Sequence, residues 1–182
     1  MSTTEHPQPA PTPFPWPFLF RYVYAAKFLC GELKPGSVEA PVEPGSYSTA
    51  INVHNPHGQP IAIRKKAILL YNAEHPEDAV ERPTPPVHGE CMMIKELGPD
   101  WGLEIDCRDI REVLLKDASG KAGPPAPVFI KGWVVIETLS DRPVDVVAFY
   151  TAGPLEAAGA ARSSPSIETE RVPGTRTFLP GF

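Results

Sequence analysis

Two apolar segments late in the chain dominate its pattern of hydrophobic and polar positions. Val128–Glu137 and Val144–Thr151 are rich in Val, Ile and aromatic residues, as β-strands are, and the turn-forming stretch Ser140–Pro143 separates them. Side chains alternate along a strand, and here both alternating sets are apolar, including Trp133 in the first segment and Phe149 in the second. A small antiparallel sheet normally leaves one face in water. The pattern therefore predicts that both faces are covered, by an arm of the chain or by another subunit.

Alternation and composition predict further strands along the chain. The turn sequence Asn55-Pro56-His57-Gly58 joins two of them and predicts that these two form a hairpin. The further predicted strands are Arg21–Cys30, Ser46–Asn55, Gln59–Tyr71, Glu90–Leu97, Trp101–Asp106 and Ser166–Val172.

One helix is predicted, at about residues 107–116. Asp106 is a good N-cap, Asp109 lies near the positive end of the helix dipole, and Ile110, Val113 and Leu114 share one face. Together the elements predict an all-β fold, an antiparallel β-sandwich of about seven or eight strands with one short helix.

The ends of the chain differ in composition from its body. Residues 1–20 are predicted to form an arm, residues 21–173 the β-sandwich domain and residues 174–182 a C-terminal tail. In the arm, prolines alternate with the aromatic residues Phe14, Trp16, Phe18 and Phe20, which favours an extended polyproline-type backbone. Burying such aromatic side chains contributes about 1.5–3 kcal/mol each, so the arm is predicted to dock while its first residues stay mobile.

Composition excludes some classes of function and predicts a location. The 182 residues have a net charge of −5, which argues against an extended nucleic-acid footprint, and the 24 prolines argue against a helical protein. The basic run Arg64–Lys66 is predicted to be a solvated face of its strand. No apolar run is long enough to span a membrane and no export signal is evident, so the predicted location is cytoplasmic.

Histidine, cysteine and acidic residues are the side chains in this sequence that could form a metal-binding, ligand-binding or catalytic site. His54 and His88 are candidate ligand-binding residues, and with Cys91 and Cys107 they could assemble a zinc site. The spacing lacks paired ligands, so the favoured interpretation has His54 hydrogen-bonded at a strand end and the cysteines as small buried hydrophobic residues. The three cysteines also form no CxxC pair, and their odd number fits a disulfide framework poorly.

The carboxylates of Glu104 and Asp106 share the outward face of their strand and could in principle perform acid/base chemistry. The favoured interpretation is that Glu104 is a surface residue and that Asp106 caps the helix. Established nucleotide-binding, hydrolase and metalloprotease motifs are missing, and neither a catalytic residue nor a cofactor or metal is predicted.

Several strings resemble a family of small, uncharacterised bacterial β-proteins that carry them in this order, over about residues 22–173. The resemblance implies a β-sandwich and brings no catalytic residues. In a more remote way, the layout is similar to the sensory rhodopsin transducer proteins, which are β-sandwich oligomers acting through partners. The strings are Ala25–Gly31 (AAKFLCG), Ile51–Pro56 (INVHNP), Leu103–Cys107 (LEIDC), Lys131–Glu137 (KGWVVIE), Asp145–Ala152 (DVVAFYTA) and Ser166–Val172 (SIETERV).

The leading functional hypothesis is a non-enzymatic interaction or scaffold protein that self-associates as a homo-oligomer and docks a partner through its N-terminal arm. One alternative is a small-ligand or metal-binding module that uses His54 and His88. A third hypothesis is a hydrolase or lyase around Glu104, Asp106 and His54. The residues predicted to form interfaces are Phe14, Trp16, Phe18, Phe20, Trp133 and Phe149.

Overall fold

The computed structural model describes residues 20–37, 42–74, 92–116, 120–155 and 164–178, and for residues 92–95 it describes the backbone alone. The elements, in chain order, are β1 (Phe20–Leu33), β2 (Gly45–His54), β3 (Ile61–Asn72), β4 (Met92–Leu97), β5 (Gly102–Asp106), α1 (Cys107–Asp109), β6 (Ile130–Thr138), β7 (Asp145–Gly153), β8 (Ser166–Arg171) and β9 (Thr175–Phe178).

The strands form an antiparallel β-sandwich, as the sequence predicts. In the half that we call sheet A, the strands lie in the order β4-β3-β6-β1-β9. In sheet B the order is β5-β2-β7-β8. Strand β1 belongs to both, because its last residues, Gly31–Leu33, leave β6 and pair with Gly45–Tyr47 of β2.

The hairpin predicted from the sequence is wrong. β2 and β3 do not form a hairpin, since β2 pairs with β1, β5 and β7 while β3 pairs with β4 and β6. The two apolar strands β6 and β7 likewise lie in opposite sheets. The turns at Asn55–Gly58 and Ser140–Pro143 therefore cross from one sheet to the other, so that the apolar inner sides of consecutive strands pack face to face.

The core consists of the inward-facing alternate residues of both sheets. From β6 these are Ile130, Val134 and Ile136, and from β7 they are Val146 and Ala148, all of them buried. They meet inward residues of the remaining strands, namely Tyr24, Ala26, Phe28, Ile51, Val53, Ile61, Ile63, Ala67 and Ile105.

The predicted helix is present but shorter than expected. The Asp106 side chain caps it by accepting a hydrogen bond of 2.8 Å from the backbone N–H of Asp109, as predicted. After α1 the chain widens into a π-type turn at Ile110–Leu114, in which the N–H of Leu115 donates to the carbonyl of Ile110 at 2.9 Å. The wider turn buries Ile110, Leu114 and Leu115 against the core.

The bounds of the predicted domain are wrong at both ends, and one strand was missed at its C-terminal end. Phe20, assigned to the arm, is the first residue of β1, and β9 lies in the stretch that was predicted to be a tail. Phe20 pairs with Phe178, and their rings meet edge to face at 5.4 Å between centroids. β9 has only four residues and no alternation of buried and exposed positions, so the sequence pattern did not indicate a strand there.

Cys30 and Cys107 form a disulfide with a Cα–Cα distance of 5.7 Å. This corrects the interpretation of the cysteines as small buried hydrophobic residues, and it removes Cys107 from the candidate zinc ligands. The odd number of cysteines was misleading because two of the three pair with each other, and the third, Cys91, lies outside the described residues. The bond links β1 in sheet A to the start of α1, which follows β5 of sheet B.

Arg111 organises the loop that leads into β6. It is 5% exposed, and its guanidinium donates to the carbonyls of Pro124 at 2.6 Å, Pro125 at 3.3 Å, Cys30 at 2.9 Å and Val128 at 2.6 Å. Burial lowers the pKa of this guanidinium, which nevertheless stays charged. One side chain therefore holds the loop against β1.

The loop lies so close to β1 that residue 31 must be glycine. Gly31 has φ +104°, a conformation that favours glycine, and a Cβ at this position would lie 2.3 Å from the Val128 carbonyl oxygen. The same residue is the point at which β1 passes from sheet A to sheet B.

Candidate interaction surfaces

The outer side of sheet A, here called the A face, has an apolar centre surrounded by cationic side chains. Trp133 and Val135 of β6 point outward and are partly buried. The register places Ala25 of β1 beside Val135, and Ile68 of β3 beside Trp133. Among the side chains that the structure describes, the charged residues of the A face are Arg21, Lys27, Arg64, Lys66, Lys131, Glu137 and, on the edge strand β4, Glu96.

Charges on the A face are partly compensated within it. Glu137 is largely buried and accepts hydrogen bonds from Arg21, at 2.8 Å, and from Arg64. The Lys27 ammonium lies 5.4 Å from the centre of the Trp133 ring, a cation–π contact. Burial and the neighbouring charge of Lys27 lower the pKa of Lys131. The remaining charge on this face is positive, although the chain as a whole is acidic.

The basic run Arg64–Lys66 is only partly a solvated face, which corrects the prediction. Arg64 and Lys66 lie on the A face, but Lys65 points to the interior and is 5% exposed. Its burial lowers the pKa of the ammonium, while the nearby carboxylate of Asp109 raises it. Strand alternation requires this split, since three consecutive residues cannot all face one side.

The outer side of sheet B, here called the B face, also has an apolar centre. Phe149 and Val147 of β7 point outward and are partly buried, and Ile167 of β8 lies at the edge and is 68% exposed. Ala50 of β2 lies next to Phe149. The charged residues of the B face are Glu104, Asp106, Asp145 and Arg171.

His54 lies at one end of the B face between two carboxylates. Its Nε2 is 2.8 Å from Asp100 Oδ1 and its Nδ1 is 3.7 Å from Asp145 Oδ2, while Arg171 binds the same Asp145 at 3.0 Å. The hydrogen bond that His54 donates to the Asp100 carboxylate, and more weakly the interaction with Asp145, raises the pKa of His54. Both ring nitrogens are thus engaged, which disfavours metal binding at His54. Among the residues that the structure describes, no three His, Cys, Asp or Glu side chains could hold a metal ion.

Protonation of His54 should stabilise the fold. The folded-state pKa is raised, so the stabilisation is complete below about pH 6.5, the ordinary histidine value, and is lost as the pH rises through the raised pKa. We expect the urea midpoint of the wild type to fall as the pH rises through the raised pKa. The variant His54→Gln should show a smaller fall over the same pH range. NMR titration should show a larger drop in the His54 pKa for Asp100→Asn than for Asp145→Asn.

His57→Gln is the matched control for this prediction, because His57 contacts the carbonyl of Pro143 rather than a carboxylate. It should leave the His54 titration unchanged. A His54 pKa that does not move in Asp100→Asn would contradict the proposed origin of the shift.

The structure places the remaining predicted site residues apart from one another. Phe14, Trp16, Phe18 and His88 lie outside the described residues, and Phe20 contacts Phe178 rather than either face. Glu104 is exposed on the B face, Asp106 caps α1, and neither forms a hydrogen bond with His54 among the described contacts. The ligand-binding role of His54 and His88 stays a prediction.

Sequence reasoning found the aromatic centres of both faces but missed the charges around them. The cations of the A face come from three strands that are far apart in the sequence, and only Arg64–Lys66 forms a visible cluster. Within the described ranges, no helix is long and apolar enough to cross a membrane.

Comparison of the chain with protein-family models, with curated proteins and with solved structures found no significant match. The resemblance given by the sequence strings therefore stays an expectation, and the function has to be argued from the two faces.

Proposed function

We propose that this protein is a non-enzymatic interaction protein that self-associates through the outer faces of its sandwich and docks a partner through its N-terminal arm. The observation that carries the proposal is the position of Trp133 and Phe149. Both are outward-facing aromatic residues on opposite faces, and each keeps part of its surface exposed. Apolar surface of this kind, surrounded by polar side chains, is typical of protein–protein contacts.

Trp133→Ser and Phe149→Ser should each lower the native mass of the protein. Buried tryptophan and other aromatic side chains commonly dominate interface energies, so we expect association to weaken by at least about tenfold. Native mass would be measured by light scattering over a range of protein concentrations. Trp101→Ser is the matched control, because Trp101 is 62% exposed in the turn before β5 and should leave the mass unchanged. Unchanged mass in both face variants would contradict self-association.

The role of the arm requires a second experiment, with a shorter chain that begins at Phe20. Phe20 must be kept because it belongs to β1 and pairs with Phe178. A partner that copurifies at a stoichiometric ratio with the full chain, and not with the shorter one, would support the arm as the docking element. Retention of the same partner by both chains would contradict it.

The location of the protein bears on this function. The sequence predicts the cytoplasm, whereas a disulfide such as Cys30–Cys107 is typical of proteins in oxidising compartments. We therefore favour an oxidising compartment over the cytoplasm. Acid quenching of intact cells followed by alkylation in denaturant distinguishes the two, because a cytoplasmic protein would then be labelled at its reduced Cys30 and Cys107.

A further inference from the structure

We propose that copies of this chain associate head to tail, with the A face of one copy against the B face of the next. The inference rests on the proposed self-association and adds its geometry. A contact between two different faces leaves one free face at each end, so it continues into a ring or a filament, whereas a contact between identical faces stops at a dimer.

Charge complementarity between the faces is the first argument. Among the described side chains, the A face has the cations Arg21, Lys27, Arg64, Lys66 and Lys131 against the carboxylates of Glu137 and, on the edge strand β4, Glu96. The B face has the opposite balance, with the carboxylates of Glu104, Asp106 and Asp145 against the guanidinium of Arg171 and the imidazole of His54. Opposite potentials favour association and determine which surfaces meet.

The apolar strand at the middle of each face, with charged side chains on the strands around it, is the second argument. On the A face the apolar side chains of Val135 and Trp133 follow one strand, and the cations lie on its two neighbours and at its end. On the B face Val147 and Phe149 likewise follow one strand, while Glu104 and Asp106 lie on β5, two strands away. Each face can thus bury its apolar centre against the other while its charged border meets charges of opposite sign.

The same charges disfavour contacts between identical faces. Two A faces would bring Lys27, Lys66 and their symmetry copies together, and two B faces would do the same for Glu104 and Asp106. Like charges facing each other across an interface oppose association. A second copy presenting the other face is therefore the occupant that fits each surface.

Charge reversal on each face tests the inference. Lys27→Glu and Glu104→Lys change exposed residues, and each places a like charge in the proposed contact. We expect each variant alone to associate roughly tenfold or more weakly than the wild type at low salt. A 1:1 mixture should recover the wild-type association, because both kinds of contact in the mixture join opposite charges. Lys34→Glu, an exposed change of the same charge away from both faces, is the control.

A second measurement does not depend on charge. Trp133→Ser removes the apolar centre of the A face, and Phe149→Ser removes that of the B face. Each variant alone therefore lacks one of the two surfaces of the contact and should be monomeric. Their mixture should form a dimer and nothing larger, because only one intact pair of faces remains. Far-UV circular dichroism of each variant confirms that it is folded before mixing.

The outcomes separate this inference from the proposed function. If charge reversal weakens association in only one of the two variants, copies associate through identical faces. That result overturns the head-to-tail arrangement and keeps self-association. Failure of both mixtures to associate would overturn the arrangement in the same way. If Lys34→Glu weakens association as much as the two face variants do, net charge explains the loss, and the head-to-tail arrangement is overturned as well. A wild type that stays monomeric at every concentration would overturn both the inference and the self-association that it rests on.

Discussion

Replacing Arg111 with methionine is expected to lower the free energy of unfolding by about 3–5 kcal/mol, since it breaks a buried hydrogen-bond network. Methionine fills similar space but donates no hydrogen bond to the carbonyls of Cys30, Pro124, Pro125 and Val128, which Arg111 now satisfies. A buried acceptor left without a donor costs about 1–3 kcal/mol, and several are lost together. Urea unfolding measures the loss as a lower midpoint.

Arg108→Met is the matched control for this prediction. Arg108 lies on the same helical segment but is exposed, and its ion pair with Glu112 four residues later is in water, so its loss should change stability little. Arg111→Lys should fall between the two, because an ammonium can satisfy some of the carbonyls but lacks the planar fork of a guanidinium. Equal stability of the Arg108 and Arg111 methionine variants would show that the loop does not depend on the carbonyl contacts.

Removing the disulfide is expected to cost about 2–5 kcal/mol in the free energy of unfolding. The bond closes a loop with a sequence separation of 77, so it restricts the unfolded chain strongly. The double variant Cys30→Ala, Cys107→Ala should unfold at a lower urea concentration, and adding reductant should lower the wild-type midpoint in the same way. Reductant should leave the variant unchanged, which serves as the control.

Mass spectrometry after alkylation in denaturant provides an independent check of the pairing. Without reductant the alkylated residue should be Cys91, and with reductant all three cysteines should be labelled. Alkylation of Cys30 in unreduced protein would contradict the disulfide.

The strands of the sandwich could be predicted because their signal is local. The alternation in β2, β6 and β7 places each inner residue on the correct side, and the cap at Asp106 is present as expected. Which strands pair could not be predicted in this way. The turns after β2 and β6 have the composition of hairpin turns, yet they connect opposite sheets, because burial of both inner faces outweighs local turn preference.

The features that depend on distant parts of the chain were missed because they leave no local pattern in the sequence. Arg111 appears in the sequence as one charged residue of a helix, and its four carbonyl partners become visible only when the loop lies against β1. The charges of the A face become visible only through the register that aligns β1, β3 and β6. The aromatic residues Trp133 and Phe149 could be found because apolar side chains on both sides of a strand are themselves a local signal.

Mechanical force applied between the two ends of the sandwich would meet little resistance. Phe20 pairs with Phe178, and Val23 pairs with Thr175. Pulling the ends apart therefore breaks the pairs between β1 and β9 one after another, beginning at Phe20 and Phe178, rather than all at once. β9 would peel away first, while β1 stays paired with β6 from Val23 to Cys30. The Cys30–Cys107 bond then keeps the intervening loop from extending. A scaffold tethered at both ends would therefore lengthen by releasing one short strand and still keep both of its faces intact.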